Sequence, residues 1–86
     1  MRSVGGVVSG ANSEPIEGAV VLLTDSKTLQ VRSFITLKDG SYHFYGLGSD
    51  VNYEVRAEHG KQTSGTKTVS SFNEHKNITI NLKLKS

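Results

Sequence analysis

The chain carries three histidines, His43, His59 and His75, and three imidazoles brought together would make a metal site. Two of them flank strand-like segments and the third lies in turn-like sequence. No carboxylate pattern converges on them, so they are expected on the surface, with no metal bound. Asp39 and Asp50 lack the alternating oxygen ligands of a calcium loop. Cysteine is absent, which removes thiolate nucleophiles and zinc thiolates. The serines sit in turn-like stretches, and no Gly-x-Ser-x-Gly elbow holds one beside a base. Gly46-Leu47-Gly48 opens like a dinucleotide fingerprint, but Val51 occupies the third glycine position and no helical pattern follows. No cofactor and no enzymatic activity are therefore expected. Asn77-Ile78-Thr79 is a formal glycosylation sequon, relevant only in a eukaryotic secretory pathway.

Exposed planar rings with donors beside them would do a different job, stacking against sugar rings. Tyr45 falls on the non-core parity of its segment, and Phe34 joins it if its strand turns Val31 and Ile35 inward. Arg32 and Arg56 would add hydrogen-bond donors. These four residues are the candidate ligand-binding set. The chain has no tryptophan, which weighs against a sugar platform.

Short strands must position these groups. Val4, Gly6 and Val8 alternate with Gly5, Val7 and Ser9. The run Ala19 to Thr24 is continuously apolar, as in a strand covered on both faces. Val31, Ser33, Ile35 and Leu37 then alternate with Arg32, Phe34 and Thr36. Asp39-Gly40 predicts a tight primed hairpin turn, because such turns need positive φ and glycine supplies it cheaply. After it, Tyr42 and Phe44 share a face opposite His43 and Tyr45. Tyr53, Val55 and Ala57 alternate with Glu54, Arg56 and Glu58, and a weak strand follows around Lys67 to Phe72. In the last strand Ile78, Ile80, Leu82 and Leu84 oppose Thr79, Asn81, Lys83 and Lys85. About seven strands with frequent turns, and no window of helical period, predict an all-β sandwich of antiparallel or mixed Greek-key type.

With 86 residues the chain is long enough for one domain, residues 1–86. A domain of that size buries roughly 60–65% of its unfolded surface. Hydrophobic residues are 35% of the chain, so the core must come from Val, Ile, Leu, Tyr and Phe. The formal charge is only +2. Basic residues such as Lys27, Arg32, Lys38, Arg56 and Lys61 are interleaved with acids rather than gathered on a stripe, so no nucleic-acid partner is expected. No apolar run approaches the roughly 20 residues of a membrane span, and membrane insertion is not expected. Met1-Arg2-Ser3 runs almost directly into strand-like sequence, which fits a module excised from a larger protein.

The order Val4-Gly5-Gly6-Val7-Val8, Glu14-Pro15-Ile16-Glu17-Gly18-Ala19-Val20-Val21-Leu22-Leu23, Asp39-Gly40-Ser41-Tyr42-His43-Phe44-Tyr45-Gly46-Leu47 and Tyr53-Glu54-Val55-Arg56-Ala57-Glu58-His59-Gly60 resembles the carboxypeptidase regulatory-like domain. That family is a small β-sandwich of transthyretin-like, or prealbumin-like, architecture. Two departures stand out. Gly48-Ser49-Asp50-Val51-Asn52 replaces a Pro-Pro-Gly-like loop, and Ser13 stands where a loop glycine is common. The resemblance implies a non-catalytic accessory module in a secreted, periplasmic or cell-surface bacterial protein. Its partners would be the neighbouring domains of the larger chain, with a protein or a glycan as further candidates. Some related surface modules form an internal Lys–Asn crosslink, but no lysine lies between Val4 and Ser9. A monomeric spacer or interaction domain is the leading expectation. The alternatives are a carbohydrate-binding module and a transthyretin-like oligomer with a small-ligand site between subunits.

Overall fold

The structure is a computed structural model that describes residues 1–73 and 75–85. Nine strands and no helix are present among them. They are β1 (Arg2–Ser9), β2 (Val20–Asp25), β3 (Val31–Ile35), β4 (Ser41–Leu47), β5 (Tyr53–His59), β6 (Gln62–Ser64), β7 (Lys67–Val69), β8 (Asn77–Thr79) and β9 (Leu82–Lys85). One layer runs β3-β2-β5, with β6 and β7 side by side along the far edge of β5. The other runs β4-β1-β8. Strand β9 joins them, parallel to β1 at Val8↔Leu82 and antiparallel to β6 at Ser64↔Leu84. The result is a mixed, nearly closed sheet, a β-sandwich whose remaining seam lies between β3 and β4. Two more strands occur than the patterning predicts. The weak strand expected around Lys67 to Phe72 is confined to β7, β6 is a short strand that the patterning does not mark, and the last expected strand breaks at Ile80-Asn81 into β8 and β9.

The core follows the alternation in most strands. Val4, Val8, Val21, Leu23, Tyr42, Phe44, Leu47, Tyr53, Val55, Ala57, Leu82 and Leu84 are buried between the layers. The Tyr42 hydroxyl donates to the Ile80 carbonyl at 2.5 Å, and burial pushes that phenol well above its ordinary pKa. A neutral tyrosine donating to a carbonyl is the form a core can hold.

In strand β3 both parities carry apolar residues, and the structure turns Phe34 and Thr36 inward. Val31 and Ile35 are 57% and 64% exposed, and Leu37 is half-exposed, whereas Phe34 packs on the core and Thr36 is buried. Hydrogen bonding decides this. The Thr36 hydroxyl accepts from the Ala19 amide at 2.9 Å and donates to the Ile16 carbonyl at 2.6 Å. Strand β2 is likewise covered on one face only, since Val20 and Leu22 remain half-buried beside Ile35 and Ser33. Thr36→Val is expected to destabilise the chain by about 2 kcal/mol, because it leaves a buried amide and a carbonyl without partners. Ile35→Ser should change stability by no more than about 0.5 kcal/mol. Urea midpoints of the two variants test the assignment, and a larger loss at Ile35 would indicate the opposite sense.

The turn at Asp39-Gly40 exists, but it is not a two-residue primed hairpin. The Gly40 amide donates to the Leu37 carbonyl, and the Leu37 amide donates to the Ser41 carbonyl. Lys38 and Asp39 are therefore the central residues of an ordinary turn, and Gly40 follows at φ +78° as the bulge residue. The strands it connects lie in different layers, so the turn is a crossing between sheets. The Asp39 carboxylate accepts from the Ser41 hydroxyl and amide, which hold it below the ordinary carboxylate range. A two-residue hairpin occurs instead at Gly60-Lys61, between His59 and Gln62. Only the first central residue there, Gly60, has positive φ, as a II′ turn requires.

Candidate functional site

The open seam brings part of the candidate set together. From the edge strand β3, the Arg32 guanidinium reaches across to β4 and donates to the Tyr45 carbonyl at 2.8 Å. Phe34, on the same face of β3, lies 4.9 Å from the His43 ring and 6.2 Å from Phe44. His43 in turn packs at a tilt against Tyr45, with ring centroids 4.8 Å apart. The rings of Phe34, His43 and Tyr45 and the Arg32 guanidinium thus line the junction of the two layers, with Phe44 beneath them in the core. The reason is topological: β3 and β4 are the two ends of the sheet, and side chains close what backbone hydrogen bonds do not.

Within this cluster the four candidates have different circumstances. Tyr45 is 65% exposed, and its ring is free on one side. Phe34 is half-buried against the core and covers the edge of β4, so it is a closing residue rather than an exposed platform. Arg32 also borders a niche of about 30 Å³ with Leu23, Asp25, Gln30 and Tyr53. That volume corresponds to about one water, not to a sugar ring. The Asp25 carboxylate accepts from the Thr28 and Lys27 amides, Thr28 foremost, and these bonds hold it below its ordinary range. Arg56 is not part of the seam. It pairs in register with Leu22 on the outer face of β5, while Arg32 pairs with Leu23 on the inner face. Its guanidinium is engaged by Glu58, an exposed ion pair of small energetic consequence.

The histidines are dispersed over the fold. His43 lies in β4, His59 ends β5, and His75 follows the β7 strand in a loop where its amide donates to Asn73. Among the described residues no group of three His, Asp or Glu side chains is arranged to hold a metal ion.

Two groupings of side chains escaped the sequence reading. Arg2 is buried, and its guanidinium donates to the carbonyls of Gly48, Val51 and Ser70 at 2.6–3.1 Å. With the Tyr53 hydroxyl, which accepts from the Gly48 amide, it fixes the loop between β4 and β5. Nothing in the local pattern marks that arginine, beyond its sharing parity with Val4 and Val8. The second grouping is Lys67, Lys83 and Lys85, which line one groove. Lys83 and Lys85 are legible as alternate residues of one strand, but only the topology adds Lys67.

A two-layer β domain with these edges, turns and interlayer clasps is a small β-sandwich module. The carboxypeptidase regulatory-like domain model matches residues 3–85, and the chain belongs to that family. No curated protein matches it. Among solved structures it is similar to the dioxygenase domain of a dioxygenase carbohydrate-binding protein fusion from Streptomyces sp. SirexAA-E. The TM-score is 0.67 at 14% identity, over 94% of this chain and 77% of the other. At that identity the likeness is one of fold alone.

Proposed function

We propose that this domain is a non-catalytic accessory module, a rigid spacer or interaction domain of a larger exported or cell-surface polypeptide. The observation that carries the reading is where its buried polar chemistry is spent. Arg2, Thr36, Tyr42, Tyr53 and Ser64 each bond to backbone groups that hold layers or loops together. Among the described residues no buried side-chain nitrogen or oxygen is left over to face a substrate. Membership in a family of regulatory-like domains supports the same reading.

A sugar-binding role is the second reading, favoured by one feature: the exposed Tyr45 ring packed beside His43, with the Arg32 guanidinium held on the Tyr45 backbone carbonyl. Glycan-array retention separates the two. The expected result is no retained saccharide, a monomeric mass by light scattering, and an intact mass equal to that calculated from the sequence. Tyr45→Ala should then leave every one of these readings unchanged. A saccharide retained by the natural chain and released by Tyr45→Ala would replace the spacer reading with the sugar-binding one.

A further inference from the structure

A groove of about 250 Å³ opens between β7 and β9, lined by Gly65, Lys67, Asn81, Leu82, Lys83 and Lys85. Its origin lies in the way β9 changes layers. Leu84 and Lys85 pair with β6, but Leu82 and Lys83 pair with β1. Continuing the β6–β9 register would set Lys67 opposite Asn81. Among the described residues β7 pairs with β5 and not with β9, so the two strands splay into a wedge with a strand edge on each side. Gly65 sits in the break, and a Cβ built there would meet nothing within 4 Å.

The polar side chains of this wedge all carry donors, beside the apolar Leu82. Three are ammonium groups, and among the described residues no carboxylate lines the groove. The Asn81 Oδ1 already accepts from the Val7 amide at 3.0 Å, which leaves its NH₂ as the group on offer. Lys67 shares its register position with the core-facing Val55, yet it is exposed. A charge at an inward position of an open edge is the device by which sheets repel stray neutral strands. Such a charge does not repel a strand that brings carboxylates with it.

We propose that this wedge is a docking site for an extended acidic peptide segment that adds to the strand edge. Asn81, Lys83 and Lys85 recur at every second residue, about 7 Å apart, and carboxylates at i and i+2 of an extended peptide repeat at the same spacing. Charge complementarity selects the acidic side chains. The alternating amide and carbonyl groups of a strand edge select a peptide backbone over a polysaccharide. The inference rests on the interaction-domain reading and specifies the partner.

The test is a titration of the ¹⁵N-labelled chain with three probes: a capped hexapeptide of alternating Glu and Thr, its Gln-for-Glu counterpart, and a polygalacturonate hexamer. The Glu peptide should move the amide resonances of Gly65, Lys67, Leu82 and Lys83, and its affinity should fall about tenfold or more between low and high salt. The Gln peptide should bind at least about tenfold more weakly. Asn81→Asp keeps an acceptor for the Val7 amide, so the spectrum should stay that of the folded chain while Glu-peptide binding is lost. Lys83→Glu should abolish it as well. No shift at those amides, equal binding of the Gln peptide, or binding by polygalacturonate alone would overturn the proposal. Failure of the accessory-module reading would look different, as Tyr45-dependent saccharide retention or turnover of a substrate.

Discussion

Gly40→Val is expected to destabilise the folded chain by roughly 3–5 kcal/mol, the largest loss of any single substitution considered. Two costs add at this position. The backbone sits at φ +78°, where a β-branched residue is strongly disfavoured. A Cβ there would also lie 2.8 Å from the Val8 carbonyl oxygen, 3.0 Å from the Pro15 side chain and 3.1 Å from the Ile16 amide. Those atoms cannot retreat independently. The Val8 amide donates to the Gly40 carbonyl, and the Val8 carbonyl accepts from the Ile16 amide, so one strand and two loops meet on this glycine. Gly18 provides the control. Its φ is +81°, but a Cβ would meet nothing within 4 Å, so Gly18→Ala should cost only about 1 kcal/mol. Urea midpoints of Gly40→Ala, Gly40→Val and Gly18→Ala separate the dihedral cost from the contact. Equal losses at Gly40→Ala and Gly18→Ala would mean that the Pro15 loop moves aside freely.

Arg2→Ala is expected to cost about 3 kcal/mol, although the residue stands second in the chain. Charge-assisted hydrogen bonds to three carbonyls would be lost together, and those carbonyls would remain half-buried without a donor. The guanidinium has no carboxylate partner among these bonds. Carbonyl dipoles from two separate loops satisfy it instead, so it acts as a clasp between β1, the β4–β5 loop and Ser70. Arg2→Lys should recover only part of the loss, because a point charge on a flexible stem cannot span three acceptors arranged for a planar fork. Thermal unfolding with a hydrogen-exchange reading at Gly48 to Asn52 checks this. Unchanged protection in that loop after Arg2→Ala would show that Tyr53 alone holds it.

How far the sequence reached can be seen strand by strand. In β4 and β5 the alternation of Tyr42, Phe44, Tyr53, Val55 and Ala57 against polar neighbours left one sense available, and the structure has it. In β3 both parities carry apolar residues, so alternation did not decide. Phe34 and Thr36 turned inward because the Thr36 hydroxyl completes a buried pair of bonds to Ala19 and Ile16, contacts some twenty residues away in the chain. The candidate set divided for the same reason. Arg32 and Arg56 look equivalent as cations on strands, but register puts them on opposite faces of one layer. Ser13, marked in the sequence as standing at a glycine position, does adopt φ +65°. That strain was visible because a turn's backbone demand is local.

By itself, then, the sequence determined the class of fold, where several turns fall and the inward faces of the strands with one apolar parity. All of these follow from dihedral preference and from a two-residue period along the chain. Tertiary structure alone decided which edges stay open, where β9 changes layers and which charges converge. Lys67 and Lys83 are distant in sequence and meet at one wedge only because β7 and β9 diverge there. Arg2 finds its acceptors only once two loops are folded over it. The physical reason is that pairing between strands is non-local. A local pattern states what each strand would bury, but the neighbour it acquires determines what is left exposed to bind.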